Sequence, residues 1–303
     1  RKGWAIERGQ PNQQLTRNAP LACPNCVTQD LALRYENETD FGFKPVRRRL
    51  VLSTASWLAV PRLARAQMRL RIGLTAVILA DQAAFLSRWA EYLSQHAQCA
   101  VSFATRDEYQ HVHEMLDSGQ VDAAWTCGYP FVRFQANLRL LAVPLYAGQP
   151  LYQAYLIRPT SGPVRVRRWS DLAGRVLAYS DRLSNSGWLV AQGQLMQAGL
   201  APSQLKRGFF AHGHRNVAEA VASGLADAGA IDGYVWETMR QQGMAAALQT
   251  AVVWKSRQHA FPPLVAPLGA DPSRLEPLRR SLLGMTADAQ GRDLLKALNL
   301  DGF

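Results

Sequence analysis

The sequence predicts an α/β protein of two lobes, in which each lobe is a mixed, mainly parallel sheet flanked by helices and two extended segments join the lobes. Three observations lead to this prediction. Short apolar runs alternate with longer amphipathic segments, which is typical of α/β folds built on parallel strands. This alternation occurs twice along the chain. The 303 residues, 48% of them hydrophobic and 19% charged, provide enough apolar material for two modest domains.

The first series of elements predicts most of one lobe. Its first helix places Phe85, Trp89 and Leu93 on one face, as an amphipathic helix requires. Its second helix ends at Gly119, because glycine favours helix termination. The predicted elements are a strand at 70–74, a helix at 82–96, a strand at 101–104, a helix at 108–119, a strand at 121–125 and a closing strand at 140–144.

The second series predicts the other lobe and the two crossings between them. Its elements are strands at 152–158, 175–179 and 228–232 and a helix at about 187–198. The chain should cross outward at 151–156 and back at 251–254, and after Pro262 and Pro263 it should end in helices at 275–285 and 289–298. We therefore expect residues 67–150 plus 251–303 to form lobe 1 and residues 151–250 to form lobe 2. Such a protein holds a ligand in the cleft between its lobes.

Residues 46–66 have the pattern of a signal peptide. Three arginines at 47–49 form a positive segment, residues 50–60 form a short apolar segment, and Ala64 and Ala66 form a small-x-small cleavage site. We expect the mature protein to begin near Gln67 and residues 1–45 not to be part of it. An ordinary buried helix is the alternative for 46–66.

Cys23 and Cys26 in the upstream segment have C-x-x-C spacing. No second pair of ligands follows at the spacing of a zinc site, and no βαβ pattern suggests a redox motif. We therefore predict no function for this pair in the mature protein.

The positive charge of the chain does not indicate a nucleic-acid-binding protein. The formal net charge is +11, but residues 1–66 carry 11 Lys and Arg against 5 Asp and Glu, and the other 237 residues carry 23 against 18. The remaining excess of +5 forms no basic stripe, so it suits a small anion better than a nucleic-acid backbone. The sequence contains no run of about 18 apolar residues, the length that would predict a membrane-spanning helix.

The segment that is most informative about a ligand is Ser184, Asn185, Ser186 and Gly187. It lies between the predicted end of a strand and the predicted start of a helix, and its polar side chains favour helix N-caps. The first turn of a helix has unpaired N–H groups and a partial positive charge, so it can bind an oxyanion. The alternative is a plain helix cap. If the turn binds an anion, we expect it to face a solvent gap between the lobes.

Four stretches of the chain together resemble the phosphonate- and phosphite-binding periplasmic proteins of ABC transporters, which have the type II periplasmic binding fold. They are DAAWTCGYPFV at 122–132, YQAYLIRP at 152–159, DRLSNSGWLV at 181–190 and HGHRNVAEAVASGLADAGAIDGYVWE at 212–237, and the resemblance extends over nearly all of 68–300. It implies a periplasmic, monomeric binding protein without a cofactor or metal. It also implies that a permease of an ABC transporter is the partner.

The resemblance also implies ligand-binding residues. Ser184, Asn185 and Ser186 match the family's turn that binds phosphoryl oxygens, His214 matches a histidine that opens the next helix, and Asp232 matches an acidic residue at a strand end. Aromatic residues expected near the ligand are Phe131, Tyr129 and either Tyr152 or Tyr155. His214 would be a cationic or a neutral donor, with a helix cap as the alternative. Asp232 would bind an amino group or a protonated acid oxygen of the ligand, because a bare carboxylate repels a dianion. The alternative interpretation is that Asp232 only forms the turn before Gly233.

The sequence departs from the family pattern at Thr126, Cys127 and Gly128, where a Gly-Pro turn is common, and at Phe131, where tyrosine is common. We expect Thr126 and Cys127 to be among the residues that bind the ligand. Cys127 is open to three interpretations: a small buried apolar residue, one half of a disulfide with Cys99, or an arsenite ligand. The last would make the protein a sensor that signals to a membrane histidine kinase, as related arsenite-sensing proteins do. Catalysis is not predicted, because no G-x-S-x-G, H-E-x-x-H or P-loop motif occurs.

Overall fold

Two five-stranded sheets organise the residues that the structure, a computed structural model, describes: 68–75, 83–163 and 166–303. The predicted signal peptide at 46–66, the upstream segment with Cys23 and Cys26, and Gln67 and Gln82 lie outside the described residues. The strands are β1 (Arg69–Leu74), β2 (Ala100–Thr105), β3 (Ala123–Trp125), β4 (Leu138–Ala142), β5 (Leu151–Pro159), β6 (Val176–Tyr179), β7 (Arg207–Phe210), β8 (Ala228–Asp232), β9 (Thr250–Ala260) and β10 (Leu264–Pro267).

Helices flank both sheets. They are α1 (Ala83–Ala97), α2 (Tyr109–Asp117), α3 (Gly128–Arg133), α4 (Val190–Gln197), α5 (His214–Ala222), α6 (Gly233–Gln241), α7 (Ala245–Leu248), α8 (Pro272–Leu283) and α9 (Ala289–Leu298). The apolar face predicted for α1 is confirmed, because Phe85, Trp89 and Leu93 are all buried. The Trp89 ring lies 4.8 Å from the Phe103 ring of β2, which packs the helix onto the sheet. Among the described residues, no helix combines the length and the apolar character needed to cross a membrane.

The two sheets share one topology. The strand order is β2-β1-β3-β10-β4 in the first sheet and β7-β6-β8-β5-β9 in the second. In the first sheet β2, β1 and β3 are parallel, and β10 pairs antiparallel with β3 and β4. In the second sheet β7, β6 and β8 are parallel, and β5 pairs antiparallel with β8 and β9. The predicted two-lobed α/β fold is confirmed, although each sheet has as many antiparallel pairings as parallel ones.

The return crossing between the lobes lies later than predicted. β9 pairs with β5 from Thr250 opposite Pro159 to Ala260 opposite Leu151, so the whole strand belongs to the second sheet. Lys255, Arg257 and Gln258 are exposed, and these polar residues interrupt the apolar pattern on which the prediction of 251–254 rested. The chain therefore re-enters the first lobe after Ala260, through Pro262 and Pro263 into the buried strand β10.

Candidate functional site

The candidate site lies at the carboxyl ends of two neighbouring parallel strands of the second sheet, β6 and β8. β6 ends at Tyr179 and leads into residues 184–187, which we call the serine turn, and β8 ends at Asp232, directly before α6. Helix α5 begins at His214, close to both strand ends. Because the carboxyl ends of parallel strands meet at one edge of a sheet, residues that are far apart in sequence come together here.

The serine turn opens a helix, as predicted, but the helix begins two residues earlier. Asn185–Leu189 form a π-helical turn that continues into α4, and Ser184 is its N-cap. The Ser184 Oγ accepts a hydrogen bond of 2.9 Å from the N–H of Gly187, which is the bond that an N-cap side chain makes. Ser184 and Ser186 are 0% and 2% exposed, which places the turn inside the molecule.

Gly187 allows a close approach between the turn and the end of β6. A Cβ at this position would lie 1.8 Å from the Oγ of Ser180, so no other residue fits without movement. The Ser180 Oγ is itself fully buried and has no hydrogen-bond partner in the part of the chain that the structure describes. An unpaired buried hydroxyl beside the first turn of a helix provides a further donor for a bound anion.

His214 is a neutral donor whose tautomer is fixed by the backbone. The N–H of Asp232 donates to Nδ1 of His214 at 3.0 Å, so this nitrogen carries a lone pair and the proton of the neutral ring lies on Nε2. Nε2 lies 3.5 Å from the Ser184 Oγ. Burial lowers the pKa of His214 to about 3, which keeps the ring uncharged. Of the two forms expected from the sequence, the structure selects the neutral donor.

Asp232 is the N-cap of α6 and faces the serine turn with one oxygen. Its Oδ1 accepts hydrogen bonds from the N–H groups of Tyr234 and Val235, at 2.9 and 3.4 Å. Its Oδ2 lies 3.5 Å from the Ser186 Oγ, which donates to it. Burial raises the pKa of this carboxyl to about 7. Asp232 can therefore both accept and donate a proton near neutral pH.

The first lobe contributes a thiol to the same cluster. The N–H of Asn185, the first residue of the π-helical turn, donates to Cys127 Sγ at 3.2 Å. Cys127 and Cys99 are both buried and both free, so the disulfide interpretation is wrong. Burial is the main reason that the pKa of Cys127 rises to about 11, so the thiol keeps its proton. Tyr152 of β5 is also present, because the Asn185 Nδ2 donates to its Oη at 3.0 Å.

Three residues that the sequence nominated have other contacts within the first lobe. The Thr126 Oγ1 lies 2.9 Å from Nε2 of His113, and both side chains are buried. Phe131 packs against an apolar cluster that includes Val112 and Leu138. Tyr129 is half-buried against the main apolar core. Phe131 thus packs within the first lobe, and its contact with a ligand stays a prediction.

Sequence reasoning missed Tyr109 and Asp181, which join the lobes beside the serine turn. The N–H of Tyr109, at the start of α2, donates to Asp181 Oδ2 at 3.2 Å. Burial raises the pKa of the Tyr109 phenol far above its usual value, and Cys127, Asp232 and Asp181 add to the rise. Asp181 lies three residues before Ser184, but nothing in its local pattern indicates a partner in the other lobe.

The lobes meet over the turn. A third contact, 2.9 Å between Nδ1 of His212 and Oε1 of Glu108, lies at the surface beside the Tyr109–Asp181 and Cys127–Asn185 contacts. The serine turn is thus enclosed between the lobes, whereas we expected it to face an open solvent gap. Closure of two lobes over a site excludes water and strengthens the hydrogen bonds inside.

Comparisons with known proteins agree with this architecture. A model of the family described as "ABC transporter, phosphonate, periplasmic substrate-binding protein" matches residues 74–303. The phosphate-import protein PhnD of Mycolicibacterium smegmatis is 30% identical over 178 residues, which are 54% of this chain and 55% of that protein. The chain therefore aligns with only about half the length of this curated relative.

Two solved structures show the same fold. A binding protein component of an ABC phosphonate transporter from Pseudomonas aeruginosa has a TM-score of 0.71 and 20% identity, covering 78% of this chain and 80% of that one. PhnD1 from Prochlorococcus marinus, in complex with methylphosphonate, has a TM-score of 0.68 and 17% identity, covering 78% and 92%.

Proposed function

Because the chain belongs to the family of periplasmic substrate-binding proteins of phosphonate ABC transporters, we propose that it captures a phosphonate, phosphite or phosphate between its lobes and delivers it to a permease. The one observation that carries this proposal is the enclosed set of donors at the serine turn. The hydroxyls of Ser184 and Ser186 and the Nε2–H of His214 lie buried and close together, with Ser184 3.5 Å from His214 and Ser186 3.5 Å from Asp232. The first turn of the helix adds N–H groups and a partial positive charge.

The donors suit an oxyanion because they are neutral. An anion taken from water must replace several hydrogen bonds, and a ring of hydroxyl, amide and imidazole N–H groups does so without a buried countercharge. Ser180 adds one more hydroxyl that has no other partner in the described residues. We propose that the ligand binds beside Ser184, Ser186 and His214 when the lobes separate to admit it.

The same geometry argues against hydrolysis by a serine and histidine pair. A histidine that activates a serine must accept the hydroxyl proton on the nitrogen that faces it. Here the N–H of Asp232 occupies Nδ1, so Nε2 carries a hydrogen and can only donate toward Ser184. We therefore propose a binding protein without catalytic activity.

We further propose that the protein acts in the periplasm as a monomer. The expected export signal at 46–66 and the family both support the location. Delivery would follow from the two-lobed form, because a permease distinguishes the closed shape from the open one.

Arsenite sensing is the second candidate, since Cys127 Sγ lies against the serine turn. Arsenite is a soft Lewis acid that binds thiolate sulfur, and burial works against ionisation of this thiol. Among the described residues no group of three or more His, Cys, Asp or Glu is placed to hold a metal ion. The geometry therefore favours oxyanion transport over sensing through a sensor kinase.

Calorimetry and thermal unfolding of the purified full chain test the proposal. We expect methylphosphonate, phosphite or phosphate to bind and, at a hundredfold excess over its dissociation constant, to stabilise the protein by about 2.7 kcal/mol. The Ser184→Ala and Ser186→Ala variants should lose at least about tenfold in affinity each. Ser281→Ala, which removes a buried hydroxyl of α8 that donates to Pro277, is the matched control and should bind normally. Binding of arsenite alone, abolished by Cys127→Ser, would overturn the transport proposal.

A further inference from the structure

We propose that Asp181 is a positioning residue that holds the two lobes closed before a ligand binds, because its carboxyl in the second lobe caps helix α2 of the first lobe. This inference goes beyond the proposed function, since it concerns the protein without a ligand. It follows from one buried hydrogen bond between the lobes and from the way in which α2 begins.

Helix α2 begins without a cap of its own. In the part of the chain that the structure describes, the side chain of its N-cap residue, Glu108, makes no hydrogen bond to the helix. The first turn, residues 109–112, contains no acidic side chain either. The first N–H groups of a helix lack partners within the helix, and an N-cap side chain normally accepts from one of them. Tyr109 at the start of α2 is only 4% exposed, so its N–H needs an acceptor from elsewhere in the protein.

Asp181 of the second lobe provides this acceptor. Its Oδ2 accepts from the N–H of Tyr109, the first residue of α2, at 3.2 Å. Its Oδ1 accepts from the N–H of Leu183 at 2.6 Å, which fixes the carboxyl to the segment after β6. A carboxylate at this place is also attracted by the partial positive charge of the helix start. When the lobes separate, α2 loses its cap, and the loss of a cap changes an equilibrium constant by about fivefold.

A second contact between the lobes lies beside the first but is exposed. Nδ1 of His212 lies 2.9 Å from Oε1 of Glu108, and the two side chains are 56% and 37% exposed. An exposed pair of this kind contributes little in water. Burial raises the pKa of Asp181, and Glu108 adds to the rise, whereas His212 opposes it. The pair therefore offsets the approach of two carboxyl groups, and the buried cap is the contact that holds the lobes closed.

The Asp181→Asn variant tests the cap and retains the local turn. Its carbonyl oxygen must keep accepting from the N–H of Leu183, two residues along the chain, so the amide NH2 faces the N–H of Tyr109. Two donors then oppose each other across the lobes, and the closed form loses its cap.

Alkylation of Cys127 by iodoacetamide measures the open fraction of the full chain without any ligand, because its Sγ contacts the Asn185 N–H in the other lobe. In Asp181→Asn we expect the rate to rise at least about threefold. A smaller rise would overturn the inference.

Two control variants identify the contact responsible. Asp271→Asn alters a cap within the first lobe, where Asp271 Oδ1 lies 2.9 Å from the N–H of Ser273 at the start of α8, and it should leave the rate unchanged. His212→Asn shortens the side chain of the surface pair and keeps the positive φ of 55°, which asparagine tolerates. It should raise the rate less than Asp181→Asn does. An equal or larger rise would assign closure to the surface pair and contradict the role of Asp181.

A double variant separates closure from support of the fold. Glu108→Ser gives α2 a cap from within the first lobe, because serine at an N-cap accepts from the helix's own N–H groups. Added to Asp181→Asn, it should restore the free energy of unfolding and leave the alkylation of Cys127 fast. If alkylation returns to the rate of the unchanged protein, Asp181 only supports the fold and the positioning role is wrong.

The kinetics of ligand binding test the consequence for the proposed function. A ligand enters the open form, so Asp181→Asn should release methylphosphonate at least about threefold faster and bind it at an unchanged rate within about twofold. Slower association with unchanged release would contradict the inference. If the unchanged protein binds no methylphosphonate, phosphite or phosphate, the proposed function fails, and alkylation of Cys127 still decides whether Asp181 holds the lobes closed. If it binds one of them while Asp181→Asn leaves alkylation unchanged, this inference alone is wrong.

Discussion

The backbone N–H of Asp232 donates to Nδ1 of His214 across 3.0 Å, so one residue of the site determines the tautomer of another. The imidazole can take up a second proton only if this hydrogen bond breaks, since both groups would then be donors. Burial acts in the same direction on the pKa. His214 is thus fixed as a neutral ring with its hydrogen on Nε2, aimed toward Ser184.

The first prediction concerns this protonation state. Nitrogen NMR of the folded protein should show His214 with the proton on Nε2 and no titration between pH 5 and 8. The same residue should titrate near pH 6.5 in the denatured protein, which serves as the internal control. A folded-state titration of His214 above pH 5 would contradict the neutral-donor role.

The second prediction is that His214 and Asp232 impose opposite pH dependences on stability. His214 has a lower pKa in the folded state than in the unfolded state, so the unfolded protein takes up its proton first. The free energy of unfolding therefore decreases as the pH falls from about 6.5 to about 3. Asp232 has a raised pKa in the folded state, so the unfolded protein loses its proton first. The free energy of unfolding therefore decreases as the pH rises from about 4 to about 7. Each effect is at most about 4–5 kcal/mol, so the two largely cancel between pH 4 and 6.5.

Single substitutions should reveal how each group changes the free energy of unfolding with pH. In Asp232→Asn the free energy of unfolding should increase with pH over this range, because only the histidine effect remains. In His214→Gln it should decrease with pH, because only the carboxyl effect remains. Denaturant unfolding at half-unit pH steps measures both slopes, and Asp271→Asn is the control for the first variant. Slopes of the same sign in the two variants would contradict the assignment.

The third prediction uses Cys127 as a reporter of lobe closure. Its Sγ contacts the Asn185 N–H in the other lobe, so a reagent can reach it only when the lobes separate. A bound oxyanion should slow alkylation of Cys127 in proportion to its occupancy of the site, at least tenfold at saturation. Cys99 is also buried, in the connection from α1 to β2 of the first lobe, and should react at a rate that the ligand does not change. Mass spectrometry of the labelled peptides distinguishes the cysteines, and equal protection of both would contradict closure at this contact.

The sequence predicts those elements whose apolar residues follow a regular period and whose position does not depend on contacts with residues far away in the chain. Helix α9 and strand β8 begin and end where the sequence indicates. Helix α6 escaped prediction because six of its nine residues are buried, including Tyr234 and Trp236. At nine residues it is also shorter than the window of about 11 residues over which a helical period is counted. Strand β10 escaped because it is short and follows two prolines.

The same distinction holds for the candidate site. Ser184 and Ser186 are predicted because they lie between a strand end and a helix start, where local patterns carry information. His214 and Asp232 are implied by the family resemblance. Tyr109 and Asp181 are not predicted, because their significance comes from one contact between the lobes. Phe131 was assigned by family likeness alone, and the apolar side chains around it give it a packing role.

The last prediction concerns the close approach at Gly187. An added Cβ would lie 1.8 Å from the Oγ and 2.7 Å from the Cβ of Ser180, so Gly187→Ala must push the serine turn away from β6. We expect a loss of about 1–3 kcal/mol in the free energy of unfolding and a loss of oxyanion binding. Gly193→Ala in the same helix is the control: its Cβ would meet nothing within 4 Å, and the change should stabilise the helix by about 0.5–1 kcal/mol. Ser180→Gly removes both clashing atoms, so adding it to Gly187→Ala should restore much of the lost stability. If Gly187→Ala binds the oxyanion as well as Gly193→Ala does, the turn is not held against β6 in the way that the proposed site requires.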